Sequence, residues 1–186
     1  MPTRVVVPRP TGRDLGLLRS VIKQRKPFSK LDVRAALKIS TRNVRTLLEP
    51  GAARLLFDEL EAADVAIMGL QEVRWGDSSE IAVGNYHLLW SGPAEAQGGV
   101  AVALNRAAYS ALKSWFPVNS RLFVAKFKHR FSSLSIVVAY APTNDASGAD
   151  KNEFYESLEQ AMQLTNCYDL VLCLGDFNAE IGLARL

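Results

Sequence analysis

Histidine and cysteine are scarce in this chain, two of each among 186 residues, and that scarcity removes several classes of chemistry. His87 falls inside a strand-like stretch and His129 in a basic turn, so serine–histidine nucleophilic catalysis finds no support and both read as structural. Cys167 and Cys173 have no nearby histidine and do not match a zinc site; they read as buried or partly buried free thiols in a reducing compartment. No apolar run approaches the ~18 residues of a membrane span. The start lacks the compact apolar stretch and small-residue cleavage site of a secretory signal. Internal repeats and low-complexity tracts are absent as well. The expectation is a soluble, intracellular protein of the nucleus or cytoplasm, and 48% hydrophobic residues suffice for one globular core.

Acidic residues are rare in one place only. Residues 1–45 hold 12 Lys/Arg against 2 Asp/Glu, so the net charge of +3 conceals a basic segment joined to an acidic body. Such an arm suits a polyanion, nucleic acid or an anionic membrane surface, although a solvated tail without a partner has the same composition. Residues 1–35, punctuated by Pro2, Pro8, Pro10 and Pro27, read as a basic extension that is disordered or partly helical. Leu15, Leu18 and Ile22 have helical spacing there. Arginine-rich and acid-poor, the segment has some character of a mitochondrial transit peptide, but only one serine precedes Pro27. Residues 36–186 form the domain.

From Leu37 onward strand-like and helix-like stretches alternate, which predicts an α/β protein. Strands are expected at Leu37–Thr41, Val65–Leu70, Ile81–Ser91, Gly99–Leu104, Leu122–Lys128, Leu134–Ala139 and Leu170–Leu174, the last a buried one. Helices are expected at Ala52–Ala63, with Leu55, Leu56, Leu60 and Ala63 on one face, and at Asp150–Leu164, burying Phe154, Leu158, Ala161 and Met162 with Asp150 as N-cap. A hairpin turn is expected at Phe131-Ser132-Ser133.

Polar residues gather immediately after apolar strands: Asn43, Gln71-Glu72, Tyr140, then Asp176 and Asn178. Ligands of open α/β sheets bind at strand carboxyl ends, so these groups can converge despite their separation in sequence. Each alone is as readily a turn or packing residue. Together, carboxylate and amide oxygens suit a hard cation such as magnesium, which also binds phosphate oxygens. A carboxylate beside such a cation can handle the proton of an attacking water or a leaving oxygen.

At these residues the chain resembles the endonuclease/exonuclease/phosphatase superfamily, which includes deoxyribonuclease I, exonuclease III and the endonuclease domains of non-LTR retrotransposons. Five segments carry the resemblance, in the family's order: Leu37 to Leu47 with Asn43-Val44-Arg45-Thr46-Leu47, Gly69-Leu70-Gln71-Glu72-Val73-Arg74-Trp75, Gly98 to Val102, Val138 to Asn144, and Gly175-Asp176-Phe177-Asn178-Ala179 on to Gly182. The wording is most similar to the retrotransposon-type branch and to sequences named craniofacial development protein 2.

The resemblance implies a four-layer α/β sandwich of two packed mixed sheets with outer helices. It implies that Asn43 and Glu72 hold Mg2+, or Mn2+, with Glu72 the principal ligand. Tyr140 would lie against the scissile phosphate, Asp176 would act on the water or leaving group, and Asn178 would orient phosphate and Asp176. Gly98 and Gly99 would give backbone clearance. DNA or another nucleic acid is the implied partner. Arg42 stands where the family often has Trp.

Family members continue with strands that bear further Asp positions and a final Asp-His pair, and no Asp-His dipeptide occurs here. The expectation is a domain missing its C-terminal strands, marginally stable and with little or no nuclease activity by itself. Two other readings share the motifs: a non-catalytic remnant that binds nucleic acid or protein, and an inositol-phosphate phosphatase or sphingomyelinase-like phosphoesterase.

Overall fold

A computed structural model of the chain describes residues 23–24, 29–31, 37–92, 98–129 and 133–179. In chain order the elements are β1 (Lys23–Gln24), β2 (Ile39–Asn43), α1 (Ala52–Ala62), β3 (Ile67–Gln71), β4 (Ser78–Val83), β5 (Tyr86–Ser91), β6 (Val100–Asn105), α2 (Arg106–Ala111), β7 (Leu112–Asn119), β8 (Leu122–Lys128), β9 (Ser133–Tyr140), α3 (Gly148–Gln163) and β10 (Leu170–Asp176). They build two five-stranded mixed sheets, ordered β2-β3-β6-β5-β4 and β1-β7-β8-β9-β10.

Three apolar layers join these elements. Between the sheets, Ile67, Leu89, Val102 and Leu104 of one face Trp115, Phe123, Phe127, Ile136 and Val138 of the other. Leu56, Phe57 and Leu60 of α1 cover the outer face of the first sheet over Met68, Leu70 and Leu88. Phe154 and Ala161 of α3 cover the second sheet over Leu122, Val124 and Val137. The result is the expected four-layer sandwich. Strands covered on both faces must be apolar at consecutive positions, which explains why β3 and β6 read as unbroken runs rather than alternations.

Several local expectations are corrected. Ile81–Ser91 is a hairpin: Val83 pairs with Tyr86, and Gly84 adopts φ +61° in the two-residue turn. Strand β7 and helix α2 escaped the pattern because β7 carries Pro117 and shifts register near both its ends. Ser147, not Asp150, caps α3, its hydroxyl accepting from the Asp150 amide at 3.1 Å while donating to the Asp150 carboxylate at 2.8 Å. Helix α1 buries Phe57 in place of Leu55, Ala63 is its exposed C-cap, and Met162 of α3 is exposed, because in each case the covered stripe is narrower than the apolar periodicity.

The largest correction concerns β10. Its unbroken apolar text suggested a buried strand, yet Leu170 and Cys173 are exposed. Among the described residues it is the last strand of its sheet, paired in parallel with β9, and helix α3 reaches it only at the partly buried Val171. Cys167, in the turn after α3, is exposed too, so neither thiol is the core residue expected. From residues 1–35, Lys23 and Gln24 pair with Trp115 and Ser114 of β7, and Leu31 is buried in the inter-sheet core. The helix expected around Leu15–Ile22 lies outside the described residues. The β8–β9 hairpin forms as expected, Lys128 opposite Ser133, with residues 130–132 of its tip also outside them.

Candidate active site

Each sheet contributes one parallel pair to the site. In the first, β2 and β3 run side by side with Asn43 opposite Gln71; in the second, β9 and β10 do so with Tyr140 opposite Asp176. The carboxyl ends of all four strands meet where the two sheets face one another, so residues up to 133 positions apart in sequence come within hydrogen-bond reach. The Asn43 amide nitrogen donates to Glu72 Oε1 at 2.7 Å and to Asp176 Oδ2 at 3.1 Å. The Tyr140 hydroxyl donates to the same Glu72 oxygen at 3.0 Å, and Arg74 pairs with the other, Oε2, at 3.3 Å. The Asn178 backbone N–H donates to Asp176 Oδ1 at 3.0 Å, while its side chain donates to the Ala141 carbonyl at 2.8 Å. All five residues singled out in the sequence therefore lie in one hydrogen-bonded group.

Getting Glu72 there requires an unusual backbone. Glu72 and Arg74 both have left-handed conformations, φ +59°, which cost on the order of 1–3 kcal/mol each for non-glycine residues and persist only where surroundings hold them. The surroundings here are backbone hydrogen bonds from Val73 to Gly99 at 3.2 Å and from Arg74 to Gly98 at 2.8 Å. Gly99 has φ +86°, and a Cβ there would meet Val73 Cγ2 at 3.0 Å. Gly99 thus provides the expected clearance for the segment that carries Glu72, whereas a Cβ on Gly98 would meet only the Ser120 carbonyl oxygen, at 3.8 Å, and what Gly98 supplies is its positive φ of +82°. Arg42 forms an ion pair with Glu59 on α1, so it serves an exposed contact between sheet and helix rather than the core under the site.

Electrostatics separate the two groups that share the Glu72 oxygen. Burial works to raise the Glu72 pKa, but hydrogen bonds from Asn43, Tyr140 and Arg74 and the Arg74 charge outweigh it and hold the carboxyl below the ordinary glutamate value. Tyr140 is pushed the other way by burial, by its hydrogen bond to Glu72 and by that carboxylate's charge. Glu72 is an anion and Tyr140 a neutral donor at pH 7. Because the Glu72 pKa is depressed, its contribution to stability is present above the ordinary glutamate value and lost as pH falls through the folded value. A carboxyl-resolved NMR titration should place Glu72 below ordinary glutamates, and Tyr140→Phe should raise its pKa; an unchanged value in the variant would contradict the assigned hydrogen bond.

Two clefts open beside this group. One, of about 550 Å³, is lined by Thr41, Asn43, Gln71, Asn144, Asp176 and Asn178 among others. The second, of about 380 Å³, is lined by Glu72, Arg74, Gly98, Ser120, Arg121 and Tyr140. Arg121 lies 5.2 Å from the Tyr140 ring centroid and donates to the Tyr140 carbonyl at 3.3 Å. Arg74 and Asn144 lie in segments that carry the family resemblance but have no role assigned from the sequence, and Arg121 has no motif signal at all. Neither histidine lines either cleft.

The donor set fits a cation that needs few protein ligands. Among the described residues no three His, Cys, Asp or Glu side chains cluster as a metal cage. Instead two carboxylates, Glu72 and Asp176, share the Asn43 amide as a hydrogen-bond donor; Arg74 pairs with Glu72, and Asp176 is held by the Asn43 amide and the Asn178 backbone N–H. Magnesium is commonly held by one or two carboxylates plus waters and substrate phosphates, which suits this arrangement.

A model of the endonuclease/exonuclease/phosphatase family matches residues 40–183. The chain belongs to this family. Among curated relatives, craniofacial development protein 2 of Bos taurus is 28% identical over 145 residues, covering 77% of this chain and 24% of its own length. The same protein of Tragulus javanicus is 26% identical, with 77% and 25% covered. The chain thus spans about a quarter of the length of these relatives. Among solved structures, the endonuclease domain of TRAS1, a telomere-specific non-LTR retrotransposon, superposes with a TM-score of 0.56 at 16% identity, covering 78% of this chain and 60% of that one. The AP endonuclease LMAP of Leishmania major gives 0.52 at 12%, with 84% and 59% covered. D. rerio TDP2, solved with a single-strand DNA product, gives 0.50 at 13%, with 78% and 62% covered. These likenesses establish the shared fold.

Proposed function

We propose that this domain holds one divalent cation, Mg2+ or Mn2+, against a nucleic-acid phosphodiester and belongs to a hydrolase of endonuclease type. The observation that carries the reading is the meeting of Asn43 and Glu72 from one sheet with Tyr140 and Asp176 from the other: Asn43 and Tyr140 both donate to one Glu72 oxygen, and Asn43 also donates to Asp176. A bound cation would neutralise charge on the phosphate and favour an attacking water. Glu72 and the Asn43 amide would hold it. Tyr140, whose hydroxyl donates to Glu72, would lie against the scissile phosphate, and Asp176, fixed by the Asn178 backbone, would accept a proton from water or return one to the leaving oxygen. Arg74 and Arg121 in the second cleft would take flanking phosphates as charge-assisted donors. That TDP2 was solved with single-strand DNA, and that the TRAS1 domain is an endonuclease, supports nucleic acid as the substrate class.

With neither histidine at the clefts, proton transfer falls to Asp176 and Tyr140, and turnover by this chain should be slow. Binding is therefore the sharper test. A fluorescently labelled DNA strand should bind more tightly with Mn2+ than without, and Glu72→Gln should abolish the difference. Metal-independent affinity, unchanged by Glu72→Gln, would overturn the reading. Competition by inositol phosphates but not by DNA would move the substrate class to small phosphomonoesters.

A further inference from the structure

We infer that Trp75 is a positioning residue, whose indole N–H holds the Asn43 loop in register with the Glu72 loop. The parallel pairing of β2 with β3 ends at Asn43 and Gln71, yet the two chains stay fastened beyond it. Val44 N–H donates to the Gln71 carbonyl at 3.0 Å and Leu47 N–H to the Val73 carbonyl at 3.2 Å. Trp75 then closes the series by donating its indole N–H to the Leu47 carbonyl at 3.0 Å. It is a side chain taking the place that the next backbone rung would hold.

The ring itself is well anchored. It meets Trp90 edge-on, centroids 5.0 Å apart, and Trp90 donates to the Gly76 carbonyl at 3.1 Å, on the residue that follows Trp75. The opposite side of the Trp75 backbone is equally constrained, since a Cβ on Gly92 would lie 1.7 Å from the Trp75 carbonyl oxygen. The Asn43 loop has weaker local support. Arg45 is left-handed, φ +61°, and the loop's own ties, from Arg45 N–H to Asn43 Oδ1, from Thr46 N–H to the Val44 carbonyl and from Leu48 N–H to the Thr46 hydroxyl, each span two residues. A loop of this kind opens locally unless something outside it holds it closed. Trp75 shares that hold with the backbone bonds to Gln71 and Val73, and its effect passes through residues 44–47 to Asn43, which makes the contacts to Glu72 and Asp176. Trp75 lines neither cleft and need not touch substrate.

The consequence for cation binding rests on the function proposed above, so the test has one arm that needs no metal. In the metal-free chain, hydrogen exchange by mass spectrometry should quicken about three- to tenfold in peptides covering 43–48 of Trp75→Phe, the range expected for losing one hydrogen bond while the ring packing stays. Peptides from β6 and β8 should not change. Trp75→His, which restores a ring N–H, should recover part of the protection. In the unmutated chain the Trp75 indole proton should exchange as slowly as the amides of 44–47, a readout that holds even if a variant misfolds. Unchanged exchange in 43–48, or a freely exchanging indole proton, would overturn the inference. Mn2+ titration then separates the two readings. Binding weakened about three- to tenfold in Trp75→Phe, with unaltered thermal stability, ties the loop to the cation site. Altered exchange in a chain that never binds Mn2+ leaves Trp75 its positioning role and refutes the proposed cation.

Discussion

Gly175→Ala should lower the melting temperature by about 6–12 °C, the shift expected for roughly 3 kcal/mol in a domain of this size. Gly175 lies opposite Ala139 in the parallel β9–β10 ladder. A Cβ on Gly175 would fall 2.0 Å from the Ala139 carbonyl oxygen and 2.8 Å from its carbon. These are backbone atoms fixed by the ladder, so no side-chain rotation relieves the overlap and the strands must part. The displaced segment leads directly to Asp176, and the distortion should reach the site as well as the fold. Gly148→Ala is the matching control: nothing lies within 4 Å of a Cβ there, and the position is in the first turn of α3. It should leave stability unchanged or slightly raised, since alanine favours helix over glycine. Equal melting temperatures for Gly175→Ala and the unmutated chain would mean that the β9–β10 contact is looser than described.

Glu72→Gln should weaken Mn2+ binding by about two orders of magnitude or more, measured calorimetrically, while the chain remains folded. Substitutions of outer partners of metal ligands already cost about 10–100-fold, and Glu72 is proposed as a direct ligand. The amide is nearly isosteric and can still accept hydrogen bonds from Asn43 and Tyr140, so the loss isolates the charge. Affinity within twofold of the unmutated chain would remove Glu72 from the cation site.

The five residues that meet at the site were legible because each follows an apolar strand, and that position has a physical meaning in α/β sheets. Their motifs survive as short text because the chemistry needs both the side chain and its local backbone. Gly175 must be glycine for clearance and Gly99 for its positive φ, so the glycines accompany the functional residues. Arg121 was not legible, and Asn144 was legible only as the end of a motif, with no role attached. Nothing local distinguishes them from solvated loop residues; only the packing of the second sheet against the first brings Arg121 beside Tyr140 and Glu72. Trp75 stood in a quoted motif, but its role depends on a partner 28 residues away.

The misread elements share a cause. Apolar periodicity reports what a face could bury, whereas burial depends on what lies opposite. Leu55, Met162 and Leu170 all fit an apolar pattern and are exposed because no described element covers them. Cys173 is exposed for the same reason, on a strand with a neighbour along one edge.

The sequence by itself determined the alternation of strands and helices, the family, and which five residues the fold gathers into one hydrogen-bonded group, because these depend on local periodicity and on side-chain chemistry at strand ends. Only the tertiary structure decided which atoms of those residues face one another, that Glu72 is an anion beside a neutral Tyr140, and that the Asn43 and Glu72 loops are fastened together. Those properties depend on distances between segments far apart in the chain, set by how two sheets pack, and no local pattern of residues encodes them.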